Sequence, residues 1–171
     1  MDKIKFLICI LLLIIGFVLF IISKKKKYKQ IYMYRTIAYV LFLSALFYMF
    51  NEYINIKKIS NSLETLTTIS ATIAGFVFSG ISIIFALLNV EYVNSLFKNN
   101  FLDKVFYKAY TVVILSLIDI ALYVLINQFS MASYNILILF YLYIFWLSIL
   151  LYSLMIFDFI KVIKRVKGKI K

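Results

Sequence analysis

Five apolar runs divide this chain, and each is long enough to cross a bilayer: residues 6–22, 36–55, 65–89, 109–127 and 136–157. A helix rises 1.5 Å per residue, so even the shortest run reaches about 26 Å, close to the thickness of the hydrocarbon core. Inside lipid every backbone N–H and C=O must be bonded within the protein, so runs of this length are expected to be helices. The fold class that follows is an all-α integral membrane protein, a bundle of five transmembrane helices. Composition agrees: 65% of the 171 residues are hydrophobic, against about 45–50% in soluble domains. A single transmembrane helical domain over residues 1–171 is expected, because a chain of this length has no room for a second core.

Charge sets the expected orientation. Lys24, Lys25, Lys26, Lys27, Lys29, Arg35, Lys98, Lys104, Lys108, Lys161, Lys164, Arg165, Lys167, Lys169 and Lys171 fall on one side of a five-span chain. Lys3, Lys5, Lys57 and Lys58 fall on the other. The positive-inside rule then puts the N-terminus outside and the C-terminus inside, with a basic cytoplasmic tail over 158–171. The first run has lysines in front, as a signal peptide would. It is followed by Ser23 and four lysines rather than a cleavage site, so it reads as a retained span. The net charge of +12 is better explained by these flanks than by nucleic acid, which is not expected as a partner. Lys24, Lys25, Lys26, Lys27, Lys161, Lys164 and Arg165 are expected to meet anionic headgroups, each contributing about 1 kcal/mol near such a surface. Tyr28, Tyr32, Tyr34, Tyr107 and Tyr110 fit an aromatic belt on the same side.

Between the third and fourth runs, Val93, Leu96, Phe97, Phe101 and Val105 recur at helical spacing among polar residues. This predicts a short amphipathic helix, either lying in the inner interface or extending the third span and packing on its neighbour.

Absences exclude several chemistries. There is no histidine, so histidine triads and most zinc sites are ruled out. Cys9 is the only cysteine, so no intrachain disulfide forms. There is no proline and there are four glycines, so the interrupted helices of many transporters are not signalled. No cofactor or metal set is indicated.

Asp119 is the acid deep inside a run. A charge at the bilayer centre costs about 2.5–3.5 kcal/mol, and such residues usually face protein or water. Ser116, Asp119, Tyr123 and Asn127 follow one another at helical steps and form one polar face. In the third run Thr68, Thr72, Gly75, Ser79 and Ser82 form a second face, and Ala71, Gly75 and Ser79 make a small-xxx-small packing pattern. The simplest expectation packs these faces together near Gly75 and Ser79. The stripe reads as a packing seam or as the wall of an ion path, with the seam favoured. With no basic residue inside a run, Asp119 must be protonated and hydrogen-bonded, hydrated, or neutralised by a cation. It can serve as interhelical glue, as a proton or cation site, or as a handle for a basic residue of another protein. Asp158 reads as an interfacial charge beside Lys161, and Trp146 as a packing residue.

No enzyme is expected. One deep acid cannot make an aspartyl dyad within a chain, and no Ser–His, Ser–Lys or phosphate-loop pattern occurs. The reading that follows is a non-enzymatic, homo-oligomeric channel-like or membrane-permeabilising protein of toxin, holin-like or defence-effector type. A membrane-embedded binding or scaffold subunit, with a membrane or cytoplasmic protein as partner, is the alternative, and a small transporter is a third. Abundant lysine, isoleucine, asparagine and tyrosine suggest an AT-rich bacterial genome and hence a cytoplasmic membrane.

Overall fold

The computed structural model of the chain describes residues 3–25, 28–50, 53–86, 91–98, 102–128 and 135–167, with side chains described for 7–23, 34–50, 53–86, 93–94, 96–97, 102, 105–128 and 135–162. These form seven helices: α1 (Lys3–Lys25), α2 (Tyr28–Phe50), α3 (Ile56–Ser60), α4 (Leu63–Ala86), α5 (Glu91–Lys98), α6 (Asp103–Gln128) and α7 (Asn135–Lys167). No strand occurs among the described residues. Among the described residues, three helical stretches are long and apolar enough to cross a membrane: Leu63–Ala86, Val105–Gln128 and Asn135–Val162. The described parts of α1 and α2, Leu7–Ser23 and Tyr34–Phe50, are shorter apolar helices.

The helices outrun the apolar runs. α6 starts at Asp103, six residues before its run, and α7 continues to Lys167. Lysine, arginine and glutamine are strong helix formers, so hydropathy marks only the middle of each element. α2 differs at its other end. It stops at Phe50, and Ile54 and Asn55, expected within the second span, have no regular structure.

The chain divides into two compact units, Met1–Ile56 and Lys57–Lys171. In the first, α1 and α2 form an antiparallel hairpin. Its α1 seam consists of Cys9, Gly16 and Ser23, buried at steps of seven. Ala38 and Ala45, also seven apart, are buried on α2. A seven-residue repeat keeps one stripe facing its partner, and small residues let the two backbones come close. The Cys9 thiol donates to the Ala45 carbonyl at 3.7 Å. At the other end the Arg35 Nε donates to Ser23 Oγ at 3.4 Å, and its guanidinium lies 5.8 Å from the centre of the Phe20 ring.

The second unit is built on α4, α6 and α7. Ser62 precedes α4, and its carbonyl accepts the Leu66 N–H at 3.1 Å, opening the helix. Glu64 in the first turn complements the helix dipole. Among the described residues, two apolar clusters pack within this unit. One joins Leu63, Ile126 and Tyr141 with Ile59, Leu66, Leu122 and Tyr123. The other joins Leu102, Val105 and Val162 with Ile84, Leu96, Phe97, Phe106 and Met155. Phe97 of α5 also stacks on Phe85 at 6.1 Å and lies 5.3 Å from Phe106. The apolar side of this amphipathic helix packs on protein at Leu96 and Phe97, whereas Val105, expected in the same short helix, lies in α6. Residues 87–90 and Phe101 lie outside the described residues.

Candidate functional site

The buried face of α4 is Leu63, Thr67, Ser70 and Val77. Their spacing of four, three and seven keeps them in one stripe. α6 answers with Val112, Ser116, Asp119 and Ile126, and α7 with Ile138, Tyr141, Phe145, Ser148 and Leu151. Each helix thus turns apolar and polar residues into the interior together. Ser70, Ser116, Asp119 and Ser148 have no exposed surface.

Buried polar groups must be bonded or they cost stability, and most of these are. The Ser70 hydroxyl donates to Asp119 Oδ2 at 2.7 Å, linking α4 to α6. Thr67 Oγ1 and the Tyr141 hydroxyl lie 2.8 Å apart, linking α4 to α7. Thr67 Oγ1 also donates to the Leu63 carbonyl at 2.8 Å, and Ser148 Oγ to the Phe145 carbonyl at 3.0 Å. Two buried oxygens are exceptions. Asp119 Oδ1 and Ser116 Oγ have no hydrogen-bond partner among the described residues.

These bonds rank two substitutions. Ser70→Ala strips Asp119 of its bonded oxygen's partner and is expected to cost about 1–3 kcal/mol. Tyr141→Phe removes a hydroxyl whose partner Thr67 keeps a second bond, and is expected to cost only about 0.6 kcal/mol. Unfolding in mixed detergent micelles checks the order; a larger loss from Tyr141→Phe would contradict it.

The two polar faces expected to meet do not. Thr68, Ala71, Thr72, Gly75, Ser79 and Ser82 all lie on the exposed side of α4, opposite the Ser70 side. A Cβ added at Gly75 would touch nothing within 4 Å. Their seam, if they form one, is not the contact between α4 and α6. The Asp119 face is also shorter than expected: Ser116 and Asp119 are buried, Tyr123 is half-buried, and Asn127 is exposed. The acid's partner is Ser70, which sequence reasoning passed over along with Thr67, Tyr141 and Ser148.

A buried ion pair was also missed. Lys108 Nζ donates to Asp158 Oδ2 at 2.6 Å, between α6 and α7, with both side chains largely buried. Lys161 lies farther from the same carboxylate, at 3.8 Å. Asp158 is therefore a tie between helices, not simply an interfacial charge beside Lys161. Its partner Lys108 is eleven residues from Asp119 along α6, about 16 Å.

No protein family, curated protein or solved structure matches the chain. Besides the Lys108–Asp158 pair, the interior of the described residues presents the Asp119 carboxylate and several hydroxyls. Among the described residues no group of three or more metal-binding side chains occurs. Arg35 belongs to the hairpin unit, where it bonds Ser23. Trp146 is exposed on α7, edge-on to Phe145 at 5.8 Å. Of the residues expected at anionic headgroups, Lys161 is exposed. Lys26 and Lys27, and the side chains of Lys24, Lys25, Lys164 and Arg165, lie outside the described residues.

Proposed function

We propose that the chain is a five-span protein of a bacterial cytoplasmic membrane, N-terminus out and C-terminus in. It acts without catalysis, as a self-associating channel-like or permeabilising unit. The observation that carries this reading is the outward face of α4. Thr68, Ala71, Thr72, Gly75, Ser79 and Ser82 share it, and all are exposed.

The hydroxyls of Thr68, Thr72 and Ser82 donate to the carbonyls four residues earlier, at 2.8–2.9 Å. They therefore leave no bare donor to lipid, yet keep lone pairs that can meet water or a neighbouring helix. Ala71, Gly75 and Ser79 lie level with them and allow close backbone approach. In this reading copies meet along α4, and the hydroxyl row borders the path they enclose. Asp119 lies on the other side of α4 and does not line that path.

Two measurements test it. Thr72→Cys in purified protein should form disulfide-linked copies under mild oxidation, because Thr72 is exposed whereas the native Cys9 is buried. Gly75→Leu should abolish that crosslink and lower ion flux from loaded liposomes about tenfold or more, the effect of roughly 1.4 kcal/mol on an association equilibrium. No flux above empty liposomes, together with a second membrane protein held through the same face, would replace the channel with the scaffold-subunit reading.

A further inference from the structure

Helical hydroxyls in this chain have a default partner. Ser44, Thr67, Thr68, Thr72, Ser82, Thr111 and Ser153 each donate to the carbonyl four residues back. Ser116 does not, although it sits inside α6 with no exposed surface. One turn farther along the same face, Asp119 Oδ1 is equally buried and equally without a partner among the described residues. Two orphaned oxygens on adjacent turns, one of them from a carboxylate, are not explained by packing. An unpaired buried polar atom costs about 1–3 kcal/mol, and an uncompensated buried charge costs more.

We propose that Asp119 Oδ1 and Ser116 Oγ, with Ser70 holding the other carboxylate oxygen, form an internal binding site for one monovalent cation, a sodium ion or a proton. Charge decides the valence. The site offers one carboxylate, since Asp158 is paired with Lys108 and Glu64 is exposed at the end of α4. One positive charge brings the interior to neutrality. A divalent ion would leave a net charge in a low-dielectric bundle. The donors are carboxylate and hydroxyl oxygens, which suit hard cations rather than soft metals. A sodium ion takes both orphaned oxygens as ligands. A proton converts Oδ1 into a donor, for which Ser116 Oγ, reached through one water, is the acceptor on the adjacent turn. Either ligand gives both atoms what they lack. The site is separate from the exposed face of α4, so it does not depend on that face conducting.

Few other groups can confuse the readout. Facing Asp119, α4 contributes the uncharged Ser70, and α7 contributes Tyr141. On α6 itself the half-buried Tyr123 is the neighbouring titratable group. The Lys108–Asp158 pair is about 16 Å away.

The test is thermal unfolding of the purified full-length protein in detergent. Sodium chloride is exchanged for choline chloride at constant ionic strength, at neutral and at mildly acidic pH. The expected result is a melting temperature that rises with sodium at fixed pH, or, if the ligand is the proton, rises on acidification with no sodium dependence. Asp119→Asn should remove the response. If that variant does not fold, Ser116→Ala supplies the answer. It keeps the acid and should raise the half-effective cation concentration about tenfold, in line with the loss of one bond to a charged group. A wild-type protein indifferent to both ions, or a Ser116→Ala variant that responds as wild type does, would overturn the site.

Discussion

Asp158→Ala is expected to destabilise the α4–α6–α7 unit by about 3–5 kcal/mol, the usual consequence of leaving one member of a buried ion pair alone. Lys108 is 8% exposed, and Asp158 is its ion-pair partner. The reverse change should be milder. After Lys108→Met, Asp158 still has the Lys161 ammonium 3.8 Å away, on an exposed and movable side chain. The double variant Lys108→Met with Asp158→Leu should recover most of the loss, because apolar groups of similar size often replace a buried pair at little cost. Reversible unfolding in mixed micelles gives all three numbers. Equal losses from the two single variants would mean that Lys161 compensates nothing. A double variant no better than Asp158→Ala alone would mean that the pair holds α6 to α7 by more than mutual neutralisation.

The pair also shows where sequence reading stops. Its members are fifty residues apart, and Lys108 falls before the apolar run of the fourth span, so hydropathy assigns it to a loop. Because α6 begins at Asp103, Lys108 is already more than a turn inside a helix. The same error in boundaries moved the partner of Asp119. Apolar runs over 65–89 and 109–127 place the acid level with Gly75 and Ser79. The observed helices begin at Leu63 and Asp103, which slides the antiparallel register by more than a turn, to Ser70. What hydropathy did read correctly is coarser. The apolar middles of α4, α6 and α7 are long enough to cross a membrane, because only length and polarity decide that. The cost of a charge in lipid likewise turns Asp119 toward protein or water, and the residue is fully buried.

Hydropathy does not fix which face of α4 turns inward. The segment Thr65–Thr72 carries hydroxyls on both sides, with Thr67 and Ser70 on one and Thr68 and Thr72 on the other. Periodicity alone does not choose between them. The choice follows from tertiary partners, since the inward pair is the one that meets Tyr141 and Asp119. The outward pair bonds its own backbone instead. A helix with two hydroxyl-bearing faces here holds its bundle with one and leaves the other exposed.

Gly16→Leu is expected to have the second largest effect, and it acts in the α1–α2 unit alone. A Cβ at Gly16 would lie 3.1 Å from Phe42 Cε1 and 3.4 Å from the Ala38 carbonyl oxygen. The ring of Phe42 can yield a few tenths of an ångström to a methyl group, so Gly16→Ala should change little. The branched end of leucine must instead enter the seam against Phe42 and the Ala38 carbonyl, and the backbone of Ala38 has no rotamer to change. Overpacking of this kind costs about 1–3 kcal/mol or more. The native cysteine reports it, because Cys9 lies two turns away in the same seam and is buried with its thiol on the Ala45 carbonyl. If opening the hairpin exposes the thiol, its modification by a membrane-permeant maleimide should quicken about tenfold for each 1.4 kcal/mol by which opening becomes easier. Gly75→Leu, on the exposed face of α4, should leave that rate unchanged. A Gly16→Leu protein that labels no faster than wild type would show that Cys9, Gly16 and Ser23 share a face without forming a cooperative seam.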